Sequence, residues 1–135
     1  MTTIPVADGL FTWPSDEPRL IGGSCRSCGT TTFPRQGSCP RCTSRDIVEQ
    51  LLDREGLLWT YTIQGFRPKA PYIGPDEFQP YGVGYVELPS QVMVESLLTE
   101  NDPEQLAIGD AMELVIVPFR RDEDGNDVVT FAFRP

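Results

Sequence analysis

The stretch CRSCGTTTFPRQGSCPRC, residues 25 to 42, decides the fold of the first part of this chain. It holds two Cys-x-x-Cys pairs, Cys25 with Cys28 and Cys39 with Cys42, joined by a span short enough to fold back as one hairpin. A tight turn puts both sulfurs of a pair on one side of the backbone, at the separation needed by a tetrahedral ion with bonds of about 2.3 Å to sulfur. Without a secretion signal, such paired motifs indicate a metal more often than disulfides or free thiols. We therefore predict a closed, structural four-thiolate site for Zn2+, with iron as the alternative metal.

The residues beside the sulfurs differ between the two pairs. Gly29 follows the second sulfur of the first pair and suits a turn that needs positive φ. Thr43 stands at the corresponding position of the second pair. The sequence therefore predicts that the two turns are not equivalent, with Pro40 stiffening the second one.

The composition is typical of one strand-rich and loop-rich unit. The chain has 135 residues, of which 13 are proline, 12 are glycine and 39% are hydrophobic, and this combination disfavours a helical bundle. No apolar run approaches the roughly 20 residues that cross a bilayer. Met1 is also not followed by a basic and then apolar segment. We expect a cytoplasmic protein that does not enter a membrane.

The arginines are concentrated around the cysteines. The formal net charge is −9, from 11 basic and 20 acidic side chains, which disfavours general binding to nucleic acid. Residues 19 to 45 nevertheless contain no acidic residue. The basic residues there either offset the charge of the metal site or bind an anion; they are Arg19, Arg26, Arg35, Arg41 and Arg45.

Prolines and glycines interrupt the first 24 residues so often that an extended arm is expected rather than a helix. Phe11 and Trp13 lie on this arm, and we expect them to pack against the chain's own core, with contact to a partner as the alternative. We divide the chain into an arm at residues 1–23, a metal ribbon at 24–45 and a barrel at 46–135.

The remainder of the chain has the period-two alternation of strands. From residue 57 to residue 64 the pattern places Leu57, Trp59, Tyr61 and Ile63 on one face. Residues 44–52 fit a short helical turn and a strand equally well. Four further strands are expected, the first two as a hairpin around Pro89-Ser90: residues 82–88, 92–98, 112–119 and 128–133.

Five strands with a longer connection before the fourth predict a small Greek-key barrel of the OB type, with an open sandwich as the alternative. The predicted fold class is thus mainly β, with the arm and metal ribbon preceding a five-stranded barrel. The acidic stretch at residues 122–127 does not match a calcium loop, because its glycine is fourth rather than sixth. We expect an ordinary hairpin turn there.

The segment from Phe66 to Tyr81 is unusual for a barrel connection. It contains four prolines, which stiffen it, and four aromatic residues, which give it apolar surface. A loop of this length without secondary structure of its own is often functional. The alternative is a lid that covers one end of the barrel and does nothing else.

Several motifs occur together in an order that is recognisable. They are Pro18-Arg-Leu-Ile, Phe33-Pro-Arg, Cys39-Pro-Arg-Cys, Tyr61-Thr, Pro80-Tyr-Gly-Val-Gly-Tyr-Val-Glu-Leu and Ile108-Gly-Asp. Together they resemble the family of OB-fold proteins with a rubredoxin-like zinc ribbon. The resemblance implies an accessory subunit or fused domain of acyl-CoA enzymes: thiolases, thiolase-fold aldolases of steroid side-chain breakdown, or acyl-CoA hydratases. It also implies that the module supports its partner's assembly or helps shape its coenzyme A pocket.

The sequence itself disfavours independent catalysis. It contains no histidine, and the metal site would occupy all four cysteines, so the commonest general base and a thiol nucleophile are both missing. We predict a non-catalytic zinc-binding subunit that forms a hetero-oligomer with a thiolase-like enzyme acting on acyl-CoA. Two alternatives are a rubredoxin-like electron carrier and a single-stranded nucleic-acid module in which Trp59, Tyr61 and Tyr85 stack on bases.

Two further sets of residues are assigned to the unusual loop. We expect its aromatic residues to contact the partner enzyme, and these are Phe66, Tyr72, Phe78 and Tyr81. Two cations at its start, Arg67 and Lys69, are candidates for contact with coenzyme A phosphates, because phosphate prefers charged donors.

Overall fold

The computed structural model describes residues 2–75, 77–89 and 92–135, and its regular structure is almost entirely strand. The strands are β1 (Thr3–Pro5), β2 (Ile21–Cys25), β3 (Thr31–Thr32), β4 (Ile47–Leu51), β5 (Glu55–Gln64), β6 (Tyr81–Glu87), β7 (Met93–Leu98), β8 (Ala111–Arg121) and β9 (Asp127–Arg134). One 3₁₀ turn, Pro103–Gln105, precedes β8. Within the described ranges no helix has the length and apolar character needed to cross a bilayer.

Strands β5 to β9 close into a barrel. The hydrogen-bonded order is β5-β6-β7-β9-β8, and β8 returns to β5 through the pairs Glu55↔Glu113 and Leu57↔Ala111. All neighbours are antiparallel except β7 and β9, which run parallel where Leu97 pairs with Ala132. The predicted five-stranded barrel of the OB type is therefore confirmed.

The barrel interior is filled by aliphatic and aromatic side chains from every strand. The most completely buried members are Leu58, Val86, Val94, Leu114 and Phe133, each at most 1% exposed. Each such side chain contributes about 1.5–3 kcal/mol by leaving water, so this interior is the main source of stability.

A bulge in β5 overturns the prediction that its four apolar residues share one face. Leu58 pairs with Val86 and Thr60 pairs with Tyr85, so Trp59 is an extra residue of β5 that has no pairing partner in β6. An extra residue exchanges the inward-facing and outward-facing side chains in the part of the strand that follows it. As a result Leu57 and Trp59 point outward, whereas Tyr61 and Ile63 pack against the core.

The cysteine-rich segment forms a separate three-stranded sheet in the order β3-β2-β4. Residues 47–51, which the sequence left open between helix and strand, form β4 and pair with β2 along its length. The division of the chain at residues 23 and 45 stays a prediction.

The arm and the ribbon join the barrel through aromatic rings. Phe11 is 4% exposed and Trp13 packs on the same core, as expected for the arm. The rings of Phe11 and Phe33 both meet Phe131 of β9 edge to face, with centroids 6.5 and 5.6 Å away. Arg54 adds a polar link by donating to the carbonyls of Pro18 and Leu114.

The two predicted hairpins are present. Between β8 and β9 the Asp122 carboxylate accepts from the Asn126 side-chain amide and from the backbone N–H groups of Asn126 and Asp124, which holds a tight turn and lowers the pKa of Asp122. Strands β6 and β7 pair from Glu87↔Met93 onward. The tip of that hairpin, at residues 90 and 91, lies outside the described residues.

Gly56 allows β5 to approach β6 closely, which gives a test of the barrel packing. A Cβ at this position would lie 2.5 Å from the carbonyl oxygen of Glu87 and 2.9 Å from Leu88 Cδ2 and Val86 Cγ1. We predict that Gly56→Ala lowers the free energy of unfolding by about 1–3 kcal/mol through overpacking, as measured by urea denaturation.

The matched control is Gly37→Ala, because a Cβ there would meet no heavy atom within 4 Å. We expect this variant to unfold at about the wild-type urea concentration. Equal midpoints for both variants would contradict the close approach at Gly56.

Candidate metal centre and exposed surfaces

The four cysteine sulfurs come together in one cluster. All four lie within 4.8 Å of one another. The Sγ atoms are 3.5 Å apart for Cys25 and Cys42 and 3.6 Å apart for Cys28 and Cys39. A tetrahedron with metal–sulfur bonds of about 2.3 Å has edges of about 3.8 Å, whereas a disulfide needs about 2.05 Å. The donor set therefore fits a tetrahedral metal ion and does not fit disulfide pairing.

The first Cys-x-x-Cys turn is built by two backbone hydrogen bonds around Cys25. The Gly29 N–H donates to the Cys25 carbonyl at 2.8 Å, and the Cys25 N–H donates to the Thr30 carbonyl at 2.9 Å. Gly29 has φ of 81°, as its sequence position predicted. This geometry turns both sulfurs of the pair to the same side.

The second turn repeats these bonds, so the predicted difference between the turns is wrong for the backbone. The Thr43 N–H donates to the Cys39 carbonyl at 2.9 Å, and the Cys39 N–H donates to the Ser44 carbonyl at 2.8 Å. Thr43 has φ of 65°, the left-handed conformation that Gly29 adopts at the equivalent position. This conformation costs a β-branched residue about 1–2 kcal/mol, which the rest of the turn must offset.

Crowding separates the acidities of the thiols. Hydrogen bonds from the Thr30 hydroxyl and N–H lower the pKa of Cys28 to about 6. The Ser44 N–H acts in the same direction on Cys42, but the hydrogen bond between the Cys42 and Cys25 thiols and the partial loss of solvent around Cys42 outweigh this and raise the pKa of Cys42 to about 12. Four thiolates this close repel one another, so all four ionise together only around a cation.

Three of the five arginines between residues 19 and 45 are held by neighbouring groups. Arg19 Nε donates to the Leu52 carbonyl, Arg26 Nε lies 3.9 Å from Asp46 Oδ2, and Arg35 Nη2 donates to the Ile47 carbonyl. Arg35 also lines a shallow cleft of about 450 Å³, which sequence analysis did not locate; its other lining residues are Gly9, Gln36, Gly37, Arg45 and Ile47.

The loop between β5 and β6 turns only part of its apolar surface outward. Phe66 and Ile73 are 70% and 67% exposed. Tyr72, Phe78 and Tyr81 are half-buried, and the last two rings meet edge to face with centroids 6.1 Å apart. The sequence therefore singled out one residue of the outer surface, Phe66, and missed the other, Ile73, which lacks an aromatic ring.

The two cations at the start of this loop lie in different surroundings. The Arg67 guanidinium carbon is 5.8 Å from the centre of the Phe78 ring, and Arg67 Nη2 donates to the Pro75 carbonyl at 2.9 Å. Lys69 is exposed. Arg67 thus helps to fold the loop, while Lys69 remains accessible to a ligand.

The inner side of the loop encloses an apolar cavity against the barrel wall. The cavity measures about 350 Å³. Its principal walls are the loop residues Tyr72, Phe78 and Tyr81 and the strand residues Leu97, Val117 and Phe119.

A second exposed apolar surface lies on the outside of β5, β6 and β7, and we call it the aromatic face. Its members are Leu57, Trp59, Tyr85 and Met93, which are between 36% and 55% exposed. The Trp59 and Tyr85 rings meet edge to face with centroids 6.4 Å apart. The period-two pattern already placed Leu57 and Trp59 on one face, but it could not reveal that the β5 bulge removes Tyr61 and Ile63 from that face by turning them to the core.

Two family models together match most of the chain. Residues 13–48 match the model described as the ChsH2 rubredoxin-like zinc ribbon domain, and residues 49–117 match that described as the ChsH2 C-terminal OB-fold domain.

Characterised relatives match over similar lengths. The chain is 36% identical to a DUF35 domain-containing scaffold protein of Pyrococcus furiosus, over 87% of this chain and 83% of the relative. It is 29% identical to the benzoylsuccinyl-CoA thiolase subunit BbsA of Thauera aromatica, over 93% of this chain and 83% of that protein.

A solved structure shares the fold. The Ltp2-ChsH2(DUF35) aldolase superimposes with a TM-score of 0.64 at 25% identity, covering 87% of this chain and 84% of that one. Because the zinc-ribbon model and the OB-fold model match consecutive parts of the chain, the chain belongs to the ChsH2-type DUF35 family of OB-fold proteins with a rubredoxin-like zinc ribbon.

Proposed function

We propose that this protein is a non-catalytic accessory subunit that docks on a thiolase-superfamily enzyme acting on acyl-CoA, of the thiolase or steroid side-chain aldolase type. Its relatives support this assignment, since they include scaffold proteins and a thiolase subunit, and a similar solved structure is that of an aldolase complex. The sequence also offers no histidine for general base catalysis. We place the protein in the cytoplasm, where the four unpaired cysteines stay reduced.

The observation that carries the proposal is the outward display of large apolar side chains on the β5–β6 hairpin. Trp59 and Tyr85 lie on the strands, and Phe66 lies where the loop leaves β5. Aromatic residues in such positions are the usual anchors of protein interfaces. Phe78 and Tyr81 would act indirectly by supporting the loop from its inner side.

Charged residues on the aromatic face favour a basic protein partner. Glu87 stands in register between Leu57 and Met93, and Glu95 pairs with Tyr85. Tyr85 donates to the Glu95 carboxylate at 3.2 Å. These carboxylates would steer an apolar surface with a basic rim, and they would repel the phosphates that a single-stranded nucleic acid brings to stacking residues.

Loss of the anchors should weaken the complex. We predict that Trp59→Ala and Phe66→Ala each weaken binding to the thiolase-like subunit by about tenfold or more, because each removes a large exposed ring from the interface. Glu95→Lys should slow association by removing the complementary charge. Surface plasmon resonance with the co-expressed enzyme subunit measures both effects.

The control variant is Val48→Ala, which trims an apolar side chain that is 39% exposed on the ribbon rather than on the hairpin. Its affinity should equal that of the wild type. If the two proteins run separately in size-exclusion chromatography well above micromolar concentration, the accessory-subunit proposal fails. If they associate but all variants bind equally, only the assigned surface is wrong.

We also propose that the sulfur cluster holds a structural Zn2+ through Cys25, Cys28, Cys39 and Cys42. With four protein ligands the ion would have no open position for a substrate, so its contribution is to stability. The ribbon strands have only two to five residues and need such a support.

Removal of one metal ligand should destabilise the ribbon and leave the barrel folded. We predict that Cys39→Ser loses the metal and the ordered ribbon signals in NMR, while the barrel signals remain. Elemental analysis of the wild type should give about one zinc per chain, and an air-oxidised solution without visible colour would rule out the iron of an electron carrier. A metal-free wild type, or a variant with an intact ribbon, would refute the site.

For coenzyme A, we propose that Arg67 and Lys69 contribute to a phosphate contact in the assembled complex. Lys69→Ala gives the cleaner test, because Arg67 also packs on Phe78. We predict about three- to tenfold weaker coenzyme A binding at low salt for Lys69→Ala, measured by calorimetry on the complex.

The control for this experiment is Arg121→Ala, which makes the same change in net charge at an arginine that already pairs with Asp127. If the wild type and the Lys69 variant bind coenzyme A with equal affinity, Lys69 does not contact the phosphates. An equal loss in both variants would indicate a general charge effect.

A further inference from the structure

The sulfur cluster has an asymmetry that a purely structural metal site does not require. Cys25 and Cys39 are buried, at 2% and 3% exposed, whereas Cys42 lies at the surface. An ion held by four thiolates has no open position, so a reagent that reaches this site meets sulfur before metal. The surface of the cluster is therefore the place where it can react.

The sulfur of Cys28 is better shielded than that of Cys42, although both residues reach the surface. The Thr30 hydroxyl lies 3.2 Å from Cys28 Sγ. When this sulfur is a thiolate the hydroxyl must donate to it, and a thiolate stabilised in this way is a weaker nucleophile. Thr43 instead donates its hydroxyl to the Cys42 carbonyl at 2.6 Å. Within the described residues no side-chain hydroxyl donates to Cys42 Sγ, so this sulfur keeps its reactivity.

A second sulfur lies beside that of Cys42, across the two turns. Cys25 Sγ is 3.5 Å from Cys42 Sγ, and the equivalent contact joins Cys28 to Cys39 at 3.6 Å. Each contact joins one buried and one surface cysteine, and neither joins two cysteines of the same Cys-x-x-Cys motif. The sulfurs of Cys25 and Cys42 need to approach by only about 1.5 Å to reach the disulfide length of about 2.05 Å.

The turn that carries Cys42 is also the turn with the strained backbone. Thr43 has φ of 65°, a conformation that costs a β-branched residue free energy and that the turn imposes on it. Gly29 has φ of 81° at the equivalent position of the first turn, where glycine adopts it without strain. Opening of the second turn therefore releases strain, and this favours movement of the Cys42 sulfur.

We propose that Cys42 is a site of reversible oxidation by hydrogen peroxide, with Cys25 as the thiolate that completes the reaction. The Cys42 thiolate attacks one peroxide oxygen, so that an S–O bond forms, the O–O bond breaks and hydroxide leaves. The Cys25 thiolate then attacks the sulfenic sulfur, so that the S–S bond forms and a second hydroxide leaves. The two sulfurs together lose two electrons, peroxide gains them, and two protons convert the hydroxides to water.

Formation of this disulfide would remove two of the four metal ligands at once. The inference rests on the proposed zinc site, and its consequence is release of the ion, because Cys28 and Cys39 alone hold zinc much more weakly. The short ribbon strands would then lose their support, while the barrel keeps its own core. A dithiol reductant would restore both thiolates and allow zinc to return.

The test uses the zinc-loaded full chain in air-free buffer with less than one equivalent of hydrogen peroxide. Unreacted thiols are blocked with iodoacetamide, and released zinc is measured with a chromogenic chelator. Trypsin then cleaves after Arg26, Arg35 and Arg41, which places each cysteine on a separate peptide for mass spectrometry. We predict that the predominant first disulfide joins Cys25 to Cys42, and that about one zinc leaves per disulfide. Dithiothreitol with added zinc should restore the ribbon signals in NMR.

A variant of Thr30 tests why the reaction begins at Cys42. Thr30→Val removes the hydroxyl from Cys28 Sγ and should raise the share of the Cys28–Cys39 disulfide among the first products several-fold. Thr30→Ser is the matched control, because it retains a hydroxyl at this position, and it should give the wild-type distribution of products. The zinc content of both variants before oxidation checks that the four ligands are intact.

Three results would overturn the oxidation site. A first disulfide within one motif, such as Cys39–Cys42, would show that the contact between the turns does not direct the reaction. Sulfinic acid at Cys42 without a disulfide would remove Cys25 from the reaction. Retention of zinc and thiols at a peroxide concentration that oxidises glutathione would show that the cluster is inert. A wild type without metal would refute the zinc site instead, and disulfide mapping on that reduced chain would still decide the pairing of Cys25 with Cys42.

Discussion

The clustering of four sulfurs within 4.8 Å is the constraint on which the N-terminal part of the structure depends. The ribbon strands are too short to form a stable sheet without other support. Two equivalent turns bring the sulfurs together, and the second accepts Thr43 at positive φ to do so. Phe33, between the two turns, then meets Phe131 of the barrel. Order at the sulfurs is thereby linked through one ring to the barrel wall.

Sequence was a good guide wherever one local rule acted alone. The cysteine spacing predicted the cluster, and five alternating segments predicted the barrel, because both patterns can be recognised within short windows of the sequence. Residues 47–51 could not be assigned because their apolar pattern suits two structures. Pairing with β2 decided in favour of a strand, and such long-range pairing is not visible in a short window.

The bulge at Trp59 shows why the surfaces were harder to predict than the fold. One extra residue changes no strand boundary, yet it reverses the direction of every side chain beyond it. A regular alternation would have placed Trp59 and Tyr61 together. The bulge instead sends Tyr61 to the core, where its hydroxyl lies near the Leu106 carbonyl, and leaves Trp59 beside Tyr85 on the aromatic face.

The loop shows a similar division between inner and outer residues. Its aromatic content suggested a single apolar surface for a partner, but Tyr72, Phe78 and Tyr81 pack on the inner side of the loop and only Phe66 of these four is exposed. Rings that line a cavity fix the shape of the loop, whereas rings that face water add area for a partner. Because one stiff segment carries both the inner and the outer residues of the loop, a partner that binds Phe66 would also restrain the rings that line the cavity.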